Sequence, residues 1–309
     1  MRIGMNAALG LGGPQTITEV VEEIAEASRA GYHAAWMPQM PPWAGIASWD
    51  PLTIATAAGV SVPDIRLGTS VVIAQSRHPL TLAGQALTIQ SAIGDRFTLG
   101  IGMSGAIVVE PTFGFPFERP ARYMREYLEV LLPALAGEPV AHHSEALTAN
   151  GHLTLPGVVA PQVVLAALGP RMLRLAGELT DGTVTIWTGT RTVAEHITPR
   201  ISAAAEAAGR PRPRIAVTVP ICVTDDVEAA RAVASDRFST AGSVPSYGAM
   251  LEIEGVESAT DLALIGSEEV IAAALRRYED AGATEIIAIL IGSAEDKARS
   301  TALLTSLTD

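Results

Sequence analysis

Few side chains in this sequence can move a proton at neutral pH from the places where a site would form. In the turns that follow its apolar runs, Arg77, His78 and Glu110 are the main ionisable residues of the first half. Hydrolysis usually calls for paired carboxylates, a metal cluster, or a nucleophile with its base. The same turns instead supply Asn6, Gln39, Trp43, Ser70 and Val71, then Gly102, Met103, Ser104 and Gly105, then Leu168, Gly169, Pro170 and Arg171, and finally Trp187 and Thr188. Glycines, amides, hydroxyls and aromatic faces suit a planar cofactor that brings its own reactivity. Gly169-Pro170-Arg171 adds a candidate anion site, because free N–H groups at a helix start and a bare glycine backbone favour a phosphate. A plain proline-initiated helix is the alternative there.

The other reactive residue types read as structural. His142, His143 and His152 cluster in one stretch with Glu145, but the spacing matches no recognised ligand set and no metal is expected. His78 precedes Pro79 and is expected to bond main chain, with a direct catalytic role as the other reading. His33 and His196 read as surface or packing groups. Glu110 is either a site acid or an ordinary loop carboxylate, solvated or paired with Arg119 or Arg122. The one cysteine, Cys222, lies in VTVPICVT and reads as a buried, inert thiol.

The elements that must position these residues follow from periodicity. Eight β-branched runs, at 2–5, 34–37, 66–73, 97–101, 163–167, 183–187, 214–223 and 285–291, alternate with helical patterns. The helices are expected over 18–30, 52–58, 80–91, 119–136, 171–179, 193–208, 227–240 and 268–281. Thr16 and Glu19 can form a capping box before the first, and Asp50-Pro51 starts the second. This alternation predicts an α/β fold, a closed parallel barrel. A doubly wound sheet is less suited, since LGLGGP after the first strand lacks G-x-G-x-x-G spacing. Two stretches break the repeat: 137–162, read as two extended pieces around an Asn150-Gly151 turn, and 241–265, read as an extra helix or two. In a β/α barrel the active site lies at the C-terminal strand ends, which is where the candidate residues above fall.

Composition bounds the function classes. Net charge is −12, from 21 Lys+Arg against 33 Asp+Glu, so a phosphate backbone would be repelled and nucleic acid is not an expected partner. No apolar run approaches the roughly 18 residues that span a bilayer, and MRIGMNAALGLGG reads as a strand and loop rather than a secretory signal. A cytoplasmic location and a small-molecule substrate are the expectation.

Residues 67–105, LGTSVVIAQSRHPLTLAGQALTIQSAIGDRFTLGIGMSG, resemble the signature region of luciferase-like flavin and deazaflavin enzymes. The likeness continues through FPFERPARYMREYLEVL, ALGPRMLRLAGELTDGTVTIWTGT and GATEIIAIL, and LGTSV points to members that use coenzyme F420. The resemblance implies a single-domain (β/α)8 TIM barrel over 1–309, with insertions after strands 4 and 7. It implies a bulge in the third strand with a non-prolyl cis peptide at Ser70–Val71 behind the deazaflavin ring. It also places the cofactor phosphate at Gly169-Pro170-Arg171 and the ring edge or ribityl chain at Gly102 to Gly105, with Asn6 and Leu168 alongside. A homodimer through helices 80–91 and 119–136 is implied as well.

Departures from the family pattern shape the expected chemistry. Pro38-Gln39 stands where sugar-phosphate dehydrogenases of this family end the second strand in Asp-His, Trp43 matches the aromatic that follows, and Gly105 replaces a Glu or His. Glutamine cannot abstract a proton, so hydride transfer to a C=C or C=N bond is expected over alcohol oxidation. Gln39 would donate to the developing anion, with Trp43, Trp187 and Thr188 against the substrate. An FMN-dependent two-component monooxygenase is the second reading. A non-catalytic flavin- or deazaflavin-binding protein is the third, prompted by the missing His and Glu.

Overall fold

The computed structural model describes residues 1–9, 15–42 and 48–308. Its strands are β1 (Arg2–Asn6), β2 (Ala34–Met37), β3 (Arg66–Thr69), β4 (Val72–Ile73), β5 (Phe97–Gly102), β6 (Val140–His143), β7 (Thr148–Gly151), β8 (Gln162–Ala166), β9 (Gly182–Ile186), β10 (Arg214–Val223), β11 (Leu264–Gly266) and β12 (Glu285–Leu290). Contacts group into two compact units: Met1–Asn6, Glu26–Trp36 and Ala167–Asp309 form the first, and Ala7–Ala25 with Met37–Ala166 form the second.

In the first unit β1 pairs in parallel with β2 and β12, β12 with β10, and β10 with both β9 and β11. In the second, β3 and β4 lie in turn against β5, which pairs with β8. With β3 and β4 counted as one interrupted strand and β11 outside the ring, these are the strands of a closed eight-stranded parallel (β/α)8 barrel. Strands covered on both faces must be apolar throughout rather than alternating. Accordingly every residue of β5, FTLGIG, is buried.

Local chemistry sets the helix starts. Asp50 accepts a hydrogen bond from the Thr53 N–H at the head of Pro51–Ser61. Thr16 and Glu19 bond reciprocally ahead of Ile17–Ala30, as a capping box requires. All eight predicted strands are present, and the third is interrupted between Thr69 and Val72. Helix 193–208 differs: it begins at Thr190–Thr192, passes through a π segment at Val193–Ile197 and continues as Thr198–Ala207.

Two helices were not anticipated, Ala106–Phe113 and Ala294–Ser306. The second carries its own signal, a Ser293–Asp296 capping box. The insertion after β5 is a hairpin of β6 and β7, but its turn is not at Asn150-Gly151: those residues pair with Ala141 and Val140 inside the ladder. Ser144 takes the turn instead, its hydroxyl accepting from the Leu147 N–H at 3.1 Å while its own N–H donates to the Leu147 carbonyl at 2.9 Å. A side chain that bonds its own backbone outcompetes a favourable dipeptide next door. The insertion after β10 holds helix Pro245–Glu254 between short 3-10 turns. No helix among the described residues is long and apolar enough to cross a membrane.

Candidate cofactor site

In the second unit the predicted bulge is present, and the Ser70–Val71 peptide bond is cis. Backbone bonds follow it on the β2 side, where the Ser70 N–H donates to the Met37 carbonyl at 2.8 Å and the Gln39 N–H to the Val71 carbonyl at 3.2 Å. On the other side β5 makes room. A Cβ at Gly100 would fall 1.8 Å from the Thr69 carbonyl oxygen, and one at Gly102 would fall 2.8 Å from a Val71 methyl. The buried Thr69 hydroxyl accepts from the Gly100 N–H and donates to the Gly100 carbonyl, at 2.8 and 2.7 Å. The G-x-G of FTLGIG is therefore the sequence trace of a close approach.

Gln39 sits at the hub of this region. Its Oε1 accepts from the Ile73 N–H and from Arg77, each at 2.9 Å, and its Nε2 donates to the Ser76 hydroxyl at 3.4 Å. Arg77 also pairs with Asp50, and Tyr127 donates to its carbonyl at 3.0 Å. Burial raises the Tyr127 phenol far above the usual range, so it remains a donor. His78 caps helix Pro79–Ile93: its Nδ1 accepts from the Leu80 N–H and its Nε2 lies 2.9 Å from the Thr148 carbonyl. Both ring nitrogens are engaged with main chain.

After β5, Met103 is buried, Ser104 adopts φ +56° and Gly105 starts helix Ala106–Phe113. A Cβ at Gly105 would meet only an Ile107 methyl at 3.9 Å, so main chain is open there. Glu110 accepts from the Phe117 N–H at 3.2 Å, while Arg122 pairs with Glu126 instead. His143 and His152 bond the Thr148 hydroxyl and the Gly137 carbonyl. No group of three or more metal-ligating side chains occurs among the described residues. Trp43 lies outside the described residues.

Sequence reasoning passed over one residue here. Gln75, on the turn Ala74–Ser76, is 93% buried (7% exposed), and neither end of its amide has a hydrogen-bond partner among the described residues. The available signal was a primary amide directly after the apolar run VVIA.

In the first unit, Asn6 ends β1 and is buried. The Leu168 carbonyl lies 2.7 Å from His196 Nε2. Gly169 precedes helix Pro170–Leu179, whose first internal bond runs from the Leu173 N–H to the Gly169 carbonyl. The N–H groups of Arg171 and Met172 thus have no acceptor within the helix, and a Cβ on Gly169 would meet nothing within 4 Å. Trp187 is at φ +58° and buried, its ring 5.2 Å from that of Phe238. The Thr188 hydroxyl bonds that of Thr185 at 2.9 Å, and its carbonyl accepts from Tyr278 at 3.1 Å.

The family described as luciferase-like monooxygenases matches residues 1–285. A Mycobacterium tuberculosis protein, provisionally named a coenzyme F420-dependent oxidoreductase, is 31% identical over 249 residues, which is 74% of this chain and 70% of that protein. The 5,10-methylenetetrahydromethanopterin reductase of Methanopyrus kandleri is 25% identical over 259 residues, 78% of this chain and 72% of the reductase. Among solved structures, an F420-dependent secondary alcohol dehydrogenase in complex with an F420-acetone adduct superposes with a TM-score of 0.82 at 17% identity, covering 99% of this chain and 97% of that one. At that identity the structural likeness speaks for the fold alone.

Proposed function

This chain belongs to the luciferase-like monooxygenase family, and from that premise we infer that it is an oxidoreductase that binds coenzyme F420 and reduces a C=C or C=N bond of a small organic substrate. The observation that carries the reaction type is the state of Gln39. Its carbonyl end is committed to the Ile73 N–H and Arg77, and an amide takes up no proton at neutral pH. Alcohol oxidation needs a base, whereas reduction needs a donor toward the charge that develops. The second N–H of Gln39 Nε2 is such a donor.

The residues fit the cofactor. When bound in its reduced form, a deazaflavin supplies a hydride. In the second unit, Ser70 and Val71 would back the ring, while the segment Gly102 to Gly105, whose main chain is open at Gly105, would receive its polar side. In the first unit, the bare Gly169 backbone with the Arg171 and Met172 N–H groups would hold the phosphate, with Leu168 beside it, and Asn6 would meet the cofactor from the end of β1. Trp187 would form an apolar wall for the substrate, as would the side chain of Thr188, whose hydroxyl is already bonded to that of Thr185. Trp43 would be a second aromatic contact. Helices Pro79–Ile93 and Pro120–Leu135 would form the surface of a homodimer.

Titration of the purified protein with F420, reduced F420 and FMN, followed by turnover with enones, imines and secondary alcohols, tests the reading. Binding of both deazaflavin forms, and oxidation of the reduced form by an enone or imine but no reaction with alcohols, is the expected result. The family's monooxygenases make FMN the second reading. Tight FMN binding without deazaflavin binding, together with oxygen uptake on reduced FMN, would establish that one instead.

A further inference from the structure

Gln75 lies two residues beyond Ile73, the residue in register with Gly102, just as Ser104 lies two beyond Gly102. Its turn packs against helix Ala106–Phe113, which begins directly after Gly105. It therefore stands past the end of β4, which follows Ser70–Val71, and beside the segment that follows Gly102; these are the two segments of the second unit that the cofactor reading uses. Its neighbours Gln39, Ser76 and Arg77 satisfy one another, but among the described residues the Gln75 amide has no partner at Nε2 or Oε1. An unmet buried polar group keeps the whole cost of its lost hydration, and native proteins keep few of them. A leucine or methionine would fill the same space without that cost.

A primary amide offers a donor and an acceptor side by side in one plane. The complementary partner is a lactam or imide edge, in which a ring N–H adjoins a carbonyl. A phosphate or a simple alcohol presents no such pair. The pyrimidine part of a deazaflavin carries this edge. We propose that Gln75 is a cofactor-binding residue that reads the imide edge of the ring, its amide turning toward the ring by a change of side-chain rotamer when the cofactor binds. Rotamer changes of this kind are common on binding and leave the backbone in place.

This inference rests on the cofactor reading above, and one set of titrations separates the two. F420 and its N3-methyl derivative, which lacks the ring N–H, are titrated against wild type, Gln75→Met and Gln75→Leu, and the unliganded proteins are melted in parallel. Wild type is expected to bind F420 at least about tenfold more tightly than the N3-methyl derivative, a difference of about 1.4 kcal/mol. Gln75→Met should bind F420 about tenfold more weakly than wild type and no longer distinguish the two ligands. Its unliganded form should melt at or above the wild-type temperature, because no hydrogen bond has been lost. The wild-type comparison needs no variant to fold. Unchanged F420 affinity in Gln75→Met, retained discrimination in either variant, equal binding of both ligands by wild type, or a lower melting temperature for both variants would each overturn the role of Gln75. Wild type that binds neither ligand would overturn the cofactor reading as well.

Discussion

Gly100 and Gly169 both lack a side chain, for opposite reasons. At Gly100 an added methyl would collide with the Thr69 carbonyl, so Gly100→Ala must push β5 away from the bulge. Overpacking of this kind costs about 1–3 kcal/mol, and thermal melts should show the loss together with weaker F420 binding. At Gly169 an added methyl meets open space at φ −75°. Gly169→Ala should leave stability within about 0.5 kcal/mol of wild type yet weaken F420 binding; unchanged affinity would remove the phosphate assignment. Cys222 gives a pH prediction. Burial, with the Asp296 charge beside it, pushes its thiol up to about 11 from an ordinary 9. A folded pKa above the unfolded one contributes stability that is complete below pH 9 and lost as pH rises through 11. Stability of wild type relative to Cys222→Ala should therefore decline across that window, and a thiol reagent should leave the folded protein unlabelled at pH 8.

At the scale of elements, helix ends matter more than helix interiors. Arg96 donates to the carbonyls of Ile93, Val62, Ile65 and Gly59. One guanidinium thus closes the ends of helices Pro51–Ser61 and Pro79–Ile93 and holds the approach to β3. Lysine cannot reproduce that fork. Arg96→Lys should cost about 2–3 kcal/mol, visible as a lower urea midpoint with an unchanged slope. The head of helix Pro79–Ile93 depends on His78, which joins it to the β6–β7 hairpin through Thr148. This explains why a histidine beside the bulge need not be catalytic: the helix start and the hairpin already use both its nitrogens.

Global stability rests in part on a buried charge cluster in the first unit. Glu285 is fully buried at the start of β12, accepting from Trp36 Nε1 at 2.8 Å and from Arg214 at 2.9 Å. Arg214 in turn lies 5.8 Å from the Trp36 ring centroid. Removing one member of such a set leaves a buried charge uncompensated, at a cost of about 3–5 kcal/mol. Glu285→Ala should therefore lower the unfolding free energy by that amount in a denaturant titration. Arg214 and Glu285 open β10 and β12, away from the strand ends that carry the candidate site, so F420 affinity per folded molecule should stay the same in Glu285→Ala.

Periodicity alone was enough for the eight barrel strands, because strands buried on both faces must be continuous apolar runs and helices must repeat near 3.6 residues. Glycine, proline and capping residues marked many of the boundaries, since those residue types restrict the backbone locally. The candidate positions at Ser70–Val71, Gly102 to Gly105 and Gly169 to Arg171 were legible from motif and order. Partnership was not legible. That Gln39 is bound on its carbonyl side, that both nitrogens of His78 are engaged, that Ser144 rather than Asn150-Gly151 makes the hairpin turn, and that the Gln75 amide is left unmet all depend on hydrogen bonds between groups distant in sequence or in competition for one donor. A residue type fixes which bonds a side chain is able to make, and only the folded chain decides which of them are taken.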